Sequence, residues 1–145
     1  MASFFGQYEH AVDPKGRLIL PAKFRSQFDV GGSVGFLSQH TEGCLALYTP
    51  DEFDIRMAQM RELAQQGPAE RNMVRFWSSG TAQVEIDKQG RMALPNKLRE
   101  YADLTPEGPV LVVGAIERVE LWNPVRWEEK VGPEEERLIQ GGVIA

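Results

Sequence analysis

Asp13-Pro14-Lys15-Gly16-Arg17-Leu18-Ile19-Leu20-Pro21-Ala22-Lys23-Phe24-Arg25 recurs 74 positions later as Asp87-Lys88-Gln89-Gly90-Arg91-Met92-Ala93-Leu94-Pro95-Asn96-Lys97-Leu98-Arg99, with 7 of 13 residues identical. A fixed offset of this kind is the mark of an internal duplication. Outward from the motif the same offset pairs Gly6 with Gly80, Val12 with Ile86, Asp29 with Asp103 and Leu37 with Leu111. Further on, Leu47-Tyr48-Thr49-Pro50 meets Leu121-Trp122-Asn123-Pro124, and Phe53 meets Trp127. The alignment reads as ungapped.

Each copy reads as strand, turn, strand, short helix, two strands, helix. In copy one, Tyr8 to Val12 is extended, and Pro14-Lys15-Gly16 supplies turn chemistry, with Gly16 suited to positive φ. Leu18-Ile19-Leu20 is a buried-strand candidate, and Pro21 suits the first position of a helix over 22–28. Segments 34–38 and 44–48 form a hairpin around loop 39–43. Thr49 caps the helix that Pro50 opens, and Asn123 does the same before Pro124. Between the copies, 68–79 is a helix with one apolar side, separated by Gly67-Pro68 from the helix before it. The implied units are 6–53 and 80–127, joined by helices over 54–79. The tail, 128–145, has no assigned form beyond an acidic stretch followed by small and apolar residues.

With 145 residues the chain suits one domain or two small ones fused tightly, enough to bury about two-thirds of the surface its unfolded form exposes. Nothing approaches the roughly 18 apolar residues of a membrane span. The opening Met1 to Gln7 segment has neither the basic start nor the apolar run of a secretory leader, and Cys44 is alone. The expected location is the cytoplasm.

Net charge is −5, which argues against indiscriminate coating of nucleic acid. Yet residues 13–25 carry Lys15, Arg17, Lys23 and Arg25 against Asp13, a net of +3, and residues 87–99 carry Lys88, Arg91, Lys97 and Arg99 against Asp87, again +3. The positive charge is concentrated in the same element twice. A turn projecting Lys15 and Arg17 could grip phosphates or enter a DNA groove, where arginine binds guanine O6 and N7 with two hydrogen bonds. The plainer reading is that Asp13 and Asp87 form salt bridges with Arg17 and Arg91 that only fix the bends. The two readings are compatible if the carboxylate orients an arginine that also makes contact.

Other features carry less. His10 and His40 have no partner at metal-ligand spacing, so neither metal nor other cofactor is expected. Cys44 reads as a core filler rather than a nucleophile. Gly31-Gly32-Ser33 lacks the following lysine of a phosphate loop and reads as a turn. Tyr48 and Trp122, matched across copies, read as core, and Glu62, Glu70 and Glu134 to Glu136 as solvated helix faces. No nucleophile, base and orienting acid converge, so an enzyme is not expected.

The paired D-x-x-G-R bends, each followed by Leu-Pro and a basic short helix, resemble the MraZ family of transcriptional regulators, which carry two AbrB-like units in one chain. The resemblance covers about Gly6 to Trp127. It implies an α+β, mainly β fold: a pseudo-twofold swapped-hairpin barrel with peripheral helices. It implies a ring-shaped homo-oligomer at the nucleoid. That ring would bind direct repeats in double-stranded DNA upstream of its own division and cell-wall operon, with no membrane or small-molecule partner. Carried onto this chain, the leading DNA contacts are Lys15, Arg17 and Arg91, with Lys88, Lys23, Arg25, Lys97 and Arg99 beside them. Asp13, Gly16, Asp87 and Gly90 shape the bends. Gln89 stands where the first bend has Lys15. The rival expectation is an antitoxin-like interaction module using the same fold. Its apolar docking peptide would be Leu138-Ile139 and Val143-Ile144.

Overall fold

A computed structural model describes residues 2–30 and 32–141. Copy one supplies β1 (Gln7–Ala11), β2 (Arg17–Ile19), α1 (Ala22–Asp29), β3 (Val34–Gln39), β4 (Leu45–Tyr48) and α2 (Pro50–Leu63). After α3 (Pro68–Ser79), copy two supplies β5 (Thr81–Glu85), β6 (Arg91–Ala93), α4 (Asn96–Ala102), β7 (Pro109–Gly114), β8 (Val119–Trp122) and α5 (Pro124–Lys130). The tail forms α6 (Gly132–Gly141), where Glu134 pairs with Arg137 and Ile139 is exposed. Val143 and Ile144 lie outside the described residues, as does Gly31.

The caps work as their side chains dictate. The Thr49 hydroxyl accepts from the Glu52 N–H at 3.4 Å, and Asn123 Oδ1 accepts from Val125 and Arg126 N–H at 2.9 and 3.2 Å. Pro21 and Pro95 correct the sequence reading. Each sits one residue before its helix in an extended conformation (ψ 140° and 138°). The reason lies just upstream: the Leu20 and Leu94 N–H groups still donate across to the Gly90 and Gly16 carbonyls at 2.9 and 3.0 Å. The chain therefore stays extended through the proline.

Six strands form one antiparallel sheet in the order β1-β7-β8-β4-β3-β5, and β2 pairs with β6 in a separate two-stranded ribbon. The copies exchange their first strands: β1 pairs with β7 of copy two, and β5 with β3 of copy one. At the centre Ala46 opposes Glu120, and in the ribbon Leu18 opposes Met92. Each is its partner's counterpart at the 74-residue offset, as a local two-fold between the copies requires. Among the described residues β1 and β5 do not pair, so backbone hydrogen bonds leave the sheet open at those edges.

The duplication is not gapless. Leu37 pairs with Leu47 and Ala82; the corresponding partners in copy two, Leu121 and Tyr8, both pair with Val112 rather than Leu111. The stretch from helix start to strand start is one residue longer in copy two (96–109 against 22–34), and the following hairpin turn is one shorter (115–118 against 40–44). The insertion and deletion cancel before β8, which hides them from a fixed-offset comparison.

One core cluster contains Leu18, Leu20, Phe24, Phe28, Leu37, Leu47, Met92, Leu98, Val112 and Leu121, and so draws on both copies. Two smaller clusters cover the outer face of the sheet. Tyr48 packs with Phe53 and Trp77, whereas Trp122 packs with Leu111 and Cys44. Burial pushes the Cys44 thiol far up from its ordinary value, which suits a core filler.

Candidate nucleic-acid interface

The bend at 13–17 is closed by its own aspartate. Asp13 N–H donates to the Arg17 carbonyl at 2.8 Å, and Gly16 N–H returns to the Asp13 carbonyl at 2.9 Å. Asp13 Oδ1 accepts from the Lys15 and Arg17 N–H groups at 2.9 and 2.8 Å, while Oδ2 accepts from Arg17 Nε at 2.8 Å. At 87–91 the corresponding five distances are 3.0, 2.9, 2.9, 2.9 and 2.7 Å. These donors, led by the backbone N–H of Arg17 or Arg91, hold both carboxyls below their ordinary range and keep them charged. Gly16 and Gly90 take φ of +80° and +83°, which an L side chain strains to adopt.

The salt bridge uses only one nitrogen of each guanidinium. Among the described residues neither Nη atom of Arg17 or Arg91 has a hydrogen-bond partner, and these side chains keep 30% and 35% of their surface. The carboxylate therefore fixes the stem of the arginine and leaves its outer edge free to donate. Lys15, Lys88 and Gln89 are exposed at the tips.

Ribbon register places the two arginines together. Arg17 opposes Ala93 and Ile19 opposes Arg91, while Leu18 and Met92 between them are fully buried. Side chains alternate along a strand, so Arg17, Ile19, Arg91 and Ala93 share the outer face. Ile19, in sequence part of a buried-strand candidate, is instead 51% exposed. Three aliphatic residues in a row carry no alternation that could have marked it; the pairing register does.

The helix arginines reach across between copies, which the linear motif does not show. A Cβ on Gly16 would lie 3.1 Å from Arg99 Nε, and one on Gly90 would lie 2.5 Å from Arg25 Nη1. Each bend is thus overlain by an arginine from the other copy, and the absent Cβ makes room for it. Arg99 is held there by Nε donating to the Leu94 carbonyl at 3.2 Å and Nη2 donating to Asn96 Oδ1. Arg25 borders an open cleft with Asp87 and Lys88. Lys23 is not brought to a bend; it borders the N-terminal segment beside Ser3 and Phe5. Lys97 is exposed on α4. Among the described residues no group of three or more His, Cys, Asp or Glu side chains could hold a metal, and no helix is long and apolar enough to cross a membrane.

The family described as "MraZ protein, putative antitoxin-like" matches residues 3–76 and 78–139, nearly the whole chain. The chain belongs to the MraZ family. Similar relatives include the Transcriptional regulator MraZ of Acetivibrio thermocellus, 41% identical over 131 residues that span 90% of this chain and 88% of the relative. The protein of the same name from Pediococcus pentosaceus is 40% identical over 135 residues, 93% and 91% of the two chains. That of Heliobacterium modesticaldum is 37% identical over 140 residues, 94% of each. The MraZ match covers both bends and the strands that place them.

Proposed function

We propose that this chain is a sequence-specific DNA-binding regulator whose two D-x-x-G-R bends form the contact surface. The observation that carries the reading is the pair of aspartate-anchored arginines on one outer face, each with unpartnered Nη donors. Arginine so held offers the planar pair of donors that guanine O6 and N7 accept. Lys15, Lys88 and the overlying Arg25 and Arg99 supply phosphate contacts that set position rather than sequence. Lys23 and Lys97 add positive potential farther out. The names of the relatives support a regulatory role.

In this reading the exchanged strands and the crossing ribbon belong to a pseudo-twofold swapped-hairpin barrel made of units 6–53 and 80–127. Copies assemble into a ring in the cytoplasm, at the nucleoid, and bind direct repeats ahead of the chain's own division and cell-wall operon. A ring reconciles a net charge of −5 with DNA binding. Several weak basic bends aimed at one duplex gain from high effective concentration, while the acidic remainder repels DNA from the other faces.

The test is a gel shift with the DNA immediately upstream of the chain's own gene. Arg17→Ala is expected to weaken binding by about 1–3 kcal/mol while melting like the parent. Log affinity should fall against log salt with a slope near −0.9 per neutralised phosphate. Loss of fold instead of loss of binding would leave Arg17 as a structural brace only.

The family description also names an antitoxin-like role, and exposed Ile139 on α6 gives that second reading a foothold. Removing residues 132–145 separates the two. A regulator that uses its bends keeps DNA affinity, whereas an antitoxin-like module loses a co-purifying protein.

A further inference from the structure

We infer that Ile19 is a base-reading residue that packs on a thymine methyl group between the two arginines. This rests on the DNA-binding reading above and adds to it a specific apolar contact.

Ile19 is 51% exposed, while both neighbours in sequence, Leu18 and Leu20, are buried to within 1%. It stands directly opposite Arg91 on β6 and two residues along β2 from Arg17, on the same outer face. An aliphatic side chain is thus held in water between Arg17 and Arg91 on the outer face of the ribbon. The ribbon backbone fixes its direction, since both β2 and β6 are anchored by the buried Leu18–Met92 pair. A two-stranded ribbon fits the major groove of B-DNA. There each base pair shows a distinct edge, and the C5-methyl of thymine is the one apolar feature. Guanidiniums on either side of Ile19 that engage base edges or phosphates would bring its methyl groups to the groove floor. Copy two presents only Ala93 at the matching position, so the contact is one-sided and gives the two-fold ribbon a direction on DNA.

The experiment uses a duplex selected by the full-length parent chain from a random-sequence pool, in versions where single thymines are replaced by deoxyuridine, which lacks only the methyl. The parent should lose about fourfold in affinity at one thymine per bound ribbon, the worth of one methyl removed from water. Ile19→Ala should bind the thymine duplex more weakly by a similar factor and be indifferent to that replacement, with unchanged melting and unchanged oligomer size. Two results overturn the inference: a parent insensitive to every thymine-to-deoxyuridine change, or an Ile19→Ala variant that stays as sensitive as the parent. An oligomer that dissociates on Ile19→Ala also overturns it, because the isoleucine then covers another copy of the chain. If the parent selects no duplex, or Arg17→Ala binds as well as the parent, the DNA-binding reading itself fails instead.

Discussion

Around Asp13 and around Asp87 the same five hydrogen bonds recur, although Pro14-Lys15 at one tip is replaced by Lys88-Gln89 at the other. Behind the sheet the two copies diverge. Tyr48 lies with Phe53, stacked in turn on Phe36 and Trp77, beside a helix of 14 residues. Trp122 meets Trp127 edge-on beside a helix of 7. Duplication has left the bends alike in bonding and the helical covers unlike in composition. Both bends hold their arginine with one and the same set of hydrogen bonds, whereas an apolar cover has only to fill volume, which many side chains do. The difference separates what the molecule presents from what supports it.

The covers provide the harshest test of that contrast. Trp122→Ala should cost about 3–5 kcal/mol, measured by urea unfolding at fixed protein concentration, because it empties a fully buried site. It also removes the Nε1–H that Glu120 Oε1 accepts at 3.0 Å, leaving a buried carboxylate oxygen short of a donor. Tyr48→Ala should fall at the low end of that range, since the stacked Phe36, Phe53 and Trp77 remain. Equal losses would mean that the covers, despite different residues, are energetically interchangeable.

The bends should break in the opposite way, with stability kept and binding lost. Arg17→Ala and Arg91→Ala are each expected to weaken operator binding by about 1–3 kcal/mol. The tips sharpen the comparison. Lys15→Ala should lower the log–log salt slope by about 0.9, as should Lys88→Ala, while Gln89→Ala should leave it unchanged. A salt slope that responds to only one lysine would show that the two tips do not approach the duplex alike.

Much of this arrangement is legible in the linear sequence. The D-x-x-G-R spacing, the Thr49-Pro50 and Asn123-Pro124 caps, and the bounds of α3 follow from local chemistry, which a sequence records directly. Strand exchange does not, because β1 pairs with a strand about a hundred residues away and nothing local encodes the partner. The same limit hides Arg25 and Arg99: in sequence both stand beside their own bends, and in space each lies over the other copy's. Ile19 misleads for a different reason. Three aliphatic residues in a row read as uniformly buried, and only the ribbon register reveals that the middle one faces out. The one-residue slip at β7 escapes because compensating length changes restore the offset by β8.

Glycine substitutions test whether the bends are equally tight. Gly16→Ala and Gly90→Ala each impose a left-handed φ on an L residue, costing about 1–2 kcal/mol. The loss should be larger at Gly90, where the new Cβ meets Arg25 Nη1 at 2.5 Å and Cδ at 3.0 Å, against 3.1 Å to Arg99 Nε at Gly16. Gly32→Ala is the control. Its φ is +85° and an added Cβ would meet nothing within 4 Å, so it isolates backbone strain from crowding. If Gly90→Ala matches Gly32→Ala in chemical denaturation, Arg25 yields freely and does not hold its place over the second bend.

The smallest expected effect belongs to copy one alone. His40 lies where copy two has no histidine, with Nδ1 accepting from the Glu42 N–H at 3.2 Å and Nε2 3.4 Å from Arg118 Nη2. Burial first, and then the Arg118 charge, hold its pKa below the ordinary 6.5; Glu42 and Glu120 oppose them only in part. Because the folded pKa is the lower one, the unfolded chain takes the proton first as pH falls through 6.5, and stability declines from there down to the folded value. Asp13 and Asp87 also have lowered values, but their contribution is lost only as pH falls below the ordinary carboxyl value of 3.8, so that loss begins at lower pH than the one from His40. Unfolding free energies between about pH 7.5 and pH 5 should therefore slope less for His40→Gln than for the parent. An identical slope in the two proteins would show that protonated His40 finds compensation from Glu42, and that the pH response of copy one does not originate at this hairpin.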